Sequence, residues 1–456
     1  MSVLQQVSAN KIGVINDPRR RWLIVVILTA CVALSYLDRQ LVAIVVDPLR
    51  RSLGVTDVQI GLAQGLAFTG CATIAGIGMA WIVDRWNRSL LIAICIVIWS
   101  MGAMACGLAT NFWQFLGARA VVAIGEAGLT PAMISICTDL FRREDLPRAN
   151  ALLMTGSYFG TALALFFGGW LLDWLQSAPT AVLGLMGGME PWRLLFLSAG
   201  IPGVFALTAV LLIMREPPRS EVSSIAEETR SGDIRQVLNA KNRFLVFYLL
   251  ATMLLFLVFF AQVAWAPTIF IRVLGISPGT AGATLGPAFL ASGLLGSGAV
   301  LLLVRGVSAD QMMARIMSVV FMIGIGLLTG SLILAFSKIL VVSVIGYCLT
   351  AFSAGVLVTM SPLPVQLVSP NKLRGMMIAV TACFYSVGSA GGGPLAIAAL
   401  TDYVFRDRLR IGDSLAVVAV VAIAGGLALL LEARRRLNLE GDPSHLASDR
   451  EPDFVT

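Results

Sequence analysis

Charged residues are scarce in this sequence. Only 13% of its 456 residues are Asp, Glu, Lys or Arg, whereas 57% are hydrophobic. A soluble protein carries roughly 25% charged residues, so a water-soluble globular fold of this length is excluded. Most of the charges also lie between long apolar blocks rather than within them.

Histidine is nearly absent, and the cysteines form no functional pattern. The single histidine, His445, lies in the polar C-terminal stretch, which excludes a Ser-His-Asp triad, a histidine metal site and a histidine proton relay within the apolar blocks. The seven cysteines lie in apolar blocks without the spacing of a metal pair or redox motif. No glycine-rich phosphate loop indicates an ATP motor. We therefore expect no metal, no cofactor and no enzymatic activity.

Long apolar runs make up most of the chain. They come in blocks of about 20 residues, the length of a membrane-spanning helix, and they lack the alternation of a lipid-facing β-barrel. The sequence therefore predicts an all-α membrane protein. Twelve spans are expected, near residues 22–46, 58–82, 89–108, 112–138, 148–172, 192–214, 244–270, 282–304, 315–336, 339–361, 376–400 and 413–432.

The positive charges predict the orientation of these spans. The net charge is +7, and the arginines concentrate in the terminal segments and in loops that follow even-numbered spans. By the positive-inside rule, these loops and both termini are expected in the cytoplasm. The charge excess therefore needs no nucleic-acid partner to explain it.

One long polar stretch divides the spans into two groups of six. It lies between spans 6 and 7 and contains two prolines and mixed charges, which is typical of a connector. Many secondary transporters are built from two similar halves. We expect a cytoplasmic N-terminal segment, a six-helix half, a cytoplasmic linker, a second six-helix half and a disordered cytoplasmic tail, at 1–21, 22–214, 215–243, 244–432 and 433–456 respectively.

Several short strings carry a family resemblance. The loop "AWIVDRWNR", Ala80–Arg88, resembles the motif between spans 2 and 3 of the major facilitator superfamily, with Ala80 and Asn87 in place of two glycines. The strings "SYLDRQ", "QIGLAQGLAF", "DRWNR", "NFWQFLGARAVVAIGEAG" and "WRLLFLSAGIPG" resemble the Spinster-like branch, which includes exporters of sphingosine phosphate and of lysophospholipids as well as bacterial members.

This resemblance implies the major facilitator fold, alternating access and an inner gate of opposite charges. The retained motif residues Asp84, Arg85 and Arg88 would form that gate with Asp139 and Arg142 of the next inner loop. A monomer in a bacterial inner membrane is expected.

Four ionisable residues lie well inside the predicted spans 1 and 4: Asp38, Arg39, Arg119 and Glu126. A charge at the bilayer centre costs about 2.5–3.5 kcal/mol on insertion scales, so it is expected to face a cavity or a partner. Asp38 of span 1 and Arg119 of span 4 both lie about 12 Å below the outer face, at a depth that allows an ion pair. Glu126 follows Arg119 on nearly the same helical face, about 10 Å deeper. The alternative is that these residues only hold spans 1 and 4 together.

These residues suggest a mechanism of coupled transport. Arg119 would attract an anionic headgroup, and protonation of Glu126 or Asp38 would alter which side of the protein opens, because low-dielectric surroundings favour the neutral form of an acid. Two further residues of the same string, Arg39 and Tyr36, are candidates for direct contact with the substrate or proton.

The second half offers neutral polar and aromatic side chains instead of charges. Possible cavity residues are Gln262, Trp265, Thr359 and Tyr385 of this half, together with Tyr158 of span 5 in the first half. A cavity with a charged wall from the first half and an apolar wall from the second would suit a molecule with an anionic headgroup and an apolar body. The sequence therefore favours a proton-coupled secondary transporter of an amphipathic anion such as a lysophospholipid or sphingosine phosphate, with membrane lipid as its surroundings. A proton symporter of small organic anions or sugar acids remains open, as does a non-transporting membrane sensor.

Overall fold

The described part of the chain is built of helices. The computed structural model describes residues 18–142, 144–179, 187–214, 216–217, 243–369 and 373–440, and none of them forms a strand. This confirms the predicted all-α class. Within these described residues, twelve helical runs are long and apolar enough to cross a membrane: Pro18–Ala43, Asp57–Arg85, Arg88–Leu108, Phe112–Leu140, Leu146–Ser177, Pro191–Ile213, Arg243–Arg272, Pro278–Leu303, Gln311–Phe336, Leu340–Val368, Met376–Phe405 and Arg408–Asn438. They are numbered here as spans 1 to 12.

Most spans are longer than the apolar blocks that predict them. The last helix runs to Glu440, so the first residues of the predicted tail are helical. Hydropathy identifies only the part of a helix that lies in the hydrocarbon of the membrane. The extra turns of the last helix are supported by an ion pair between Glu432 and Arg436, which are one helical turn apart and 2.8 Å from each other. The rest of the tail, residues 1–17 and nearly all of the predicted linker 215–243 lie outside the described residues.

The chain divides into two compact units. Among described residues, the first comprises 18–54 and 70–217, and the second comprises 55–69 and 243–440. The same packing pairs occur inside each unit: spans 1 with 5, 3 with 4 and 3 with 6 in the first, and spans 7 with 11, 9 with 10 and 9 with 12 in the second. The two halves thus repeat one internal arrangement, as expected of a repeat-built transporter.

Aromatic side chains fill the interior of the first unit. Trp99, Trp192, Phe115 and Phe196 are all at most 1% exposed. Phe196 contacts both Phe115 and Trp192 edge to face, with ring centroids 5.9 and 6.2 Å apart. The ring contacts join spans 4 and 6 and help to position span 4, which carries two of the candidate site residues.

Span 2 is interrupted, and its first part belongs to the second unit. The helix stops at Gln64 and resumes at Leu66. A side chain at Gly65 would place its Cβ 2.5 Å from the carbonyl oxygen of Gly391 in span 11, so this contact requires glycine. Gly391 ends a π-helical turn, Ser386–Gly391, in the glycine-rich part of span 11. The uneven backbone of span 11 thus fits against the break in span 2.

Candidate substrate and proton site

Asp38 and Arg119 lie side by side in the first unit. Asp38 is in the last turn of the α-helix Pro18–Gln40, and Arg119 is two turns into Phe112–Ala127. Both are almost fully buried, at 3% and 1% exposure. The Nη1 group of Arg119 donates to the backbone carbonyl of Asp38 at 3.5 Å, and the two side-chain charges also interact. The structure thus brings these two candidate residues together through the backbone carbonyl of Asp38.

Glu126 and Arg39 extend this pair into a cluster of four charges. Glu126 is half-buried; it receives a hydrogen bond from Ser35 and interacts with the charges of Arg39, Arg119 and Asp38. Arg39, for which the sequence offered no partner, is thus a second base beside the two acids. The cluster contains two acidic and two basic groups, so its formal charge balances.

Two carboxylate oxygens in the cluster lack hydrogen-bond partners. Asp38 Oδ1 and Glu126 Oε1 are buried, and neither has a partner within the described part of the chain. An unmade hydrogen bond at a buried acceptor costs about 1–3 kcal/mol. These oxygens are therefore available to a proton or to a donor group of a ligand.

Close helix packing holds the cluster in place. The N-cap Asn111 accepts from Gln114 N at 3.0 Å and fixes the start of the helix that carries Arg119. Gly125 lies against span 3, where a Cβ would be 2.6 Å from the backbone nitrogen of Trp99. Glu126 therefore follows a residue at which spans 3 and 4 almost touch.

The two candidate tyrosines of the first unit lie in different spans. Tyr36 is in span 1 and Tyr158 is in span 5, which packs against span 1. Both are half-buried. Their position relative to a substrate remains a prediction.

Arg88 forms a dense polar network in the first unit, at the start of span 3. Its Nη1 donates to Asp139 and, at 2.9 Å, to Ser135, while its Nε donates to Glu216 at 2.7 Å and its Nη2 to the carbonyl of Pro217 at 3.1 Å. Arg88 is 1% exposed. One guanidinium thus joins the start of span 3, the end of span 4 and the chain after span 6.

Glu216 is a member of this network that the sequence reasoning did not identify. Its Oε2 accepts from the backbone nitrogens of Arg88 and Ser89, at 2.8 and 3.1 Å, so it also caps the start of span 3. The only signal was an acidic residue immediately after span 6, and the adjacent prolines made it read as part of the linker.

The other candidate gate residues lie at the surface. Asp84, Arg85 and Arg142 are exposed, and no ion pair among the described residues connects them to Arg88. The guanidinium of Arg85 instead lies over the ring of Trp81, 4.3 Å from its centroid. The proposed gate role of these three residues stays a prediction.

Two of the candidate cavity residues of the second unit have their polar atoms bound internally. Gln262 is 2% exposed; its Nε2 donates to Thr350, and its Oε1 accepts from Ser331 at 3.1 Å. Trp265 is fully buried and donates from Nε1 to the carbonyl of Pro394 at 2.9 Å. These bonds join span 7 to spans 9, 10 and 11.

Tyr385 and Thr359 are half-buried, and Tyr385 lies within a run of aromatic rings. The Tyr385 hydroxyl is 2.7 Å from that of Thr252, whereas Thr359 donates to the carbonyl of Gly355 in its own helix. Ring contacts with centroids 5.1–6.4 Å apart connect Tyr385, Phe256, Phe260, Phe259 and Phe289.

A buried ion pair lies in the second unit where span 7 ends. Arg272, at the end of span 7, donates two hydrogen bonds to Asp57, at the start of span 2. Asp402 of span 11 accepts from the backbone nitrogen of Val58 at 2.8 Å. The apolar block that predicts span 11 ends at residue 400, so the sequence predicts a loop position for Asp402.

Comparison with known proteins identifies relatives of this chain. A family model described as the Major Facilitator Superfamily matches residues 28–393. An MFS-type efflux pump of Mycolicibacterium smegmatis is 26% identical over 300 residues, which are 66% of this chain and 65% of the pump. Human Protein spinster homolog 1 is 26% identical over 273 residues, 58% of this chain and 48% of that protein. The D-galactonate transporter of Escherichia coli O6:H1 is 26% identical over 201 residues, 44% of this chain and 43% of that protein.

These matches confirm the resemblance stated from the motifs. The chain spans less than two thirds of the length of these curated relatives. The fold is also that of a bacterial homologue of the human lysosomal transporter Spinster, whose inward-facing, unoccupied crystal structure superposes with a TM-score of 0.75 at 21% identity, over 96% of this chain and 100% of the other. The relatives are transporters rather than enzymes.

Proposed function

This chain belongs to the Major Facilitator Superfamily, and from that membership we propose that it is a proton-coupled secondary active transporter that moves an amphipathic anion by alternating access. One observation carries the proposal: Asp38, Arg39, Arg119 and Glu126 form a charge cluster within membrane-spanning helices. Apolar residues would hold spans 1 and 4 together at lower desolvation cost. Charges retained there therefore have a use beyond packing.

Arg119 is the proposed anion-binding group. A guanidinium presents planar donors that match a phosphate or a carboxylate in a bidentate arrangement. Burial strengthens this interaction because little water competes for the donors. Arg119 already contacts the backbone carbonyl of Asp38. The anionic headgroup would therefore share Arg119 with Asp38.

Glu126 is the proposed proton carrier, with Asp38 as its partner acid. Each has an oxygen without a hydrogen-bond partner among the described residues, and the two charges interact. A proton on either acid would change the charge balance at Arg119. Proton and substrate would thus influence each other's binding, and each would shift the conformational equilibrium by its difference in affinity for the two states.

The aromatic rings of the second unit support a substrate with an apolar body. Phe259, Phe260 and Tyr385 are half-buried and stand in one contact series. Aromatic side chains supply large apolar contact areas with few polar demands. A lysophospholipid or a sphingosine-phosphate-like molecule combines an anionic head with such a body.

A sugar acid is the second candidate, because the D-galactonate transporter is among the relatives. Its carboxylate would also bind Arg119, but its hydroxyl groups would need polar partners. Gln262 of the second unit is occupied by Thr350 and Ser331. The amphipathic anion is therefore the better fit.

We also propose the orientation and setting of the transporter. The concentration of arginines at one end of the spans supports cytoplasmic termini. A monomer in a bacterial inner membrane, with the Arg88 network as a lock on its inner side, completes the proposal.

Transport by the purified protein in liposomes tests the function. Lysophosphatidylglycerol, sphingosine phosphate and D-galactonate are offered separately with and without an imposed pH gradient. We expect one of the two lipids to move in response to the gradient. Movement of D-galactonate alone would favour the sugar-acid symporter. Binding of a substrate by thermal shift without transport of any would favour a sensor.

Variants then separate the roles of the charges. Glu126→Gln is expected to remove the pH-driven component while leaving folded protein, and Arg119→Gln to remove substrate binding. If Arg119→Gln does not fold, Arg119→Lys replaces it, because lysine keeps the positive charge but not the planar guanidinium. The matched control is Asp145→Asn, an exposed acid paired with Arg148 at 3.7 Å. Normal gradient-driven transport by Glu126→Gln would show that Glu126 is not the proton carrier.

A further inference from the structure

A groove lies on the exposed surface of the second unit, between spans 9 and 12. It is a cavity of about 240 Å³ lined by Met317, Ser318, Phe321, Met322, Leu430, Leu431 and Arg434. Met317 and Leu430 form its floor, at 1% and 2% exposure, whereas Met322 and Leu431 form its rims, at 70% and 54%. The groove is thus apolar along its length and ends at an arginine.

A second cavity of about 280 Å³ adjoins the groove at Ser318. It is lined by Val307, Gln311, Ala314, Arg315 and Ser318. Ser318 donates to the carbonyl of Ala314 at 2.9 Å within its own helix, so its hydroxyl turns back on the backbone between the two cavities. The pair of cavities, called here the 9/12 groove, therefore carries an arginine on each side of Ser318.

Neither of these arginines is neutralised within the described residues. Of the three consecutive arginines after span 12's apolar part, Arg435 and Arg436 pair with Glu432, at 3.9 and 2.8 Å, and Arg434 has no ion pair there. Arg315 donates from Nε to the carbonyl of Leu303 at 3.1 Å. This bond fixes the side chain against the end of span 8 without neutralising it. Among the side chains that the structure describes, no acidic one lines the 9/12 groove.

We infer that the 9/12 groove binds an anionic phospholipid of the membrane leaflet at this end of the spans. The phosphate lies between Arg315 and Arg434, and an acyl chain follows Met322, Phe321 and Leu431 along the apolar part. Basic side chains at the end of a span are the usual partners of anionic headgroups. The exposed apolar rims face the hydrocarbon that surrounds the spans, so a lipid reaches the groove without leaving the bilayer.

This site is separate from the proposed substrate site. It lies on spans 9 and 12 of the second unit, whereas Asp38, Arg119 and Glu126 lie on spans 1 and 4 of the first. The inference therefore stands whether or not the transported molecule is a lipid.

Lipid binding to the detergent-purified protein tests the inference. Phosphatidylglycerol and phosphatidylcholine of equal chain length are added separately, and binding is followed by native mass spectrometry and by the thermal midpoint. We expect phosphatidylglycerol to bind more tightly and to raise the midpoint more. Equal behaviour of the two lipids would overturn the inference. So would an equal rise with inorganic phosphate, because a free anion does not use the apolar groove.

Two matched double variants locate the site. Arg315→Gln with Arg434→Gln removes both groove charges, and Arg305→Gln with Arg435→Gln removes two exposed charges outside the groove lining. At about 1 kcal/mol for each arginine, we expect the groove variant to bind phosphatidylglycerol roughly thirtyfold more weakly. The control should retain the preference. Its loss in both variants to the same extent would point to general surface charge and overturn the inference.

A steric variant leaves the charges in place. Ser318→Trp puts a large side chain where the two cavities meet and is expected to abolish the lipid preference without altering any arginine. It also decides the question if the groove double variant does not fold. Retained preference in Ser318→Trp would show that the lipid lies elsewhere.

Discussion

Arg272 holds Asp57 with both of its terminal nitrogens, at 2.6 and 2.9 Å, and the two side chains are 5% and 0% exposed. This bidentate pair joins the end of span 7 to the start of span 2. Charge-assisted bidentate bonds are the strongest class of side-chain hydrogen bond. The pair therefore helps to fix the first part of span 2 inside the second unit.

Breaking the pair from one side is expected to destabilise the protein strongly. Arg272→Gln leaves the Asp57 carboxylate buried without its counter-charge, a loss of about 3–5 kcal/mol in comparable buried pairs. The double variant Asp57→Asn with Arg272→Gln should recover part of this loss, because no charge is then left buried. The thermal midpoint of unfolding in detergent measures each change.

The exposed pair of Arg410 and Asp413 is the control for this experiment. Its atoms are also 2.6 Å apart, but Arg410 is half exposed. Arg410→Gln should therefore cost no more than about 1 kcal/mol. Equal destabilisation by Arg410→Gln and Arg272→Gln would mean that burial does not strengthen the Asp57 pair.

The membrane spans can be predicted from the sequence, but the pairing of Asp57 with Arg272 cannot. Apolar blocks, the cost of a charge in hydrocarbon and helix depth were sufficient to find Asp38, Arg119 and Glu126, because each is a local anomaly. Asp57 is not anomalous: it follows the N-cap Thr56, whose side chain and that of Gln59 form a capping box, and acids are favoured in the first turn of a helix. Nothing near it points to Arg272, 215 residues away.

Glu216 and Arg39 were harder to assign for a related reason. Glu216 lies in a polar stretch where an acid is ordinary, and only the fold brings it to the buried Arg88. Arg39 lies beside Asp38 in the sequence, so its partner depends on which way the helix faces. The fold alone reveals its interaction with Glu126.

Glu190, which directly precedes span 6 in the first unit, is expected to make a pH-dependent contribution to stability. Partial burial acts to raise its pKa, but hydrogen bonds from Ser52 and Trp192 and the charge of Arg193 lower the pKa below its ordinary value of 4.5. The stabilisation from this carboxylate is thus fully present above pH 4.5 and is lost as the pH falls through the lowered pKa.

Thermal midpoints measured across the acid range test this sign. We expect Glu190→Gln to be less stable than the natural protein at neutral pH, and the difference to shrink below about pH 4.5 as the natural carboxylate is protonated. The effect should be small, because Glu190 is about half exposed. A difference that grows on acidification would contradict the assignment.

Gly125 and Gly117 provide a matched pair on span 4, the helix that carries Arg119 and Glu126. A Cβ at Gly125 would lie 2.6 Å from the backbone nitrogen of Trp99 and 3.0 Å from its Cα, whereas a Cβ at Gly117 would meet nothing within 4 Å. Backbone atoms in a packed helix cannot yield as a flexible side chain can. Gly125→Ala must therefore move span 3 or span 4, at a cost of about 1–3 kcal/mol.

The same substitution at Gly117 should have the opposite effect. Alanine is favoured over glycine in a helix by about 1 kcal/mol, and the space around Gly117 is open, so Gly117→Ala should be neutral or stabilising in a thermal-unfolding measurement. Because Glu126 follows Gly125 directly, Gly125→Ala should also lower the rate of pH-driven transport, while Gly117→Ala should not. Equal stability and transport in the two variants would show that the contact between spans 3 and 4 does not determine the position of Glu126, and the charge cluster would then need another support.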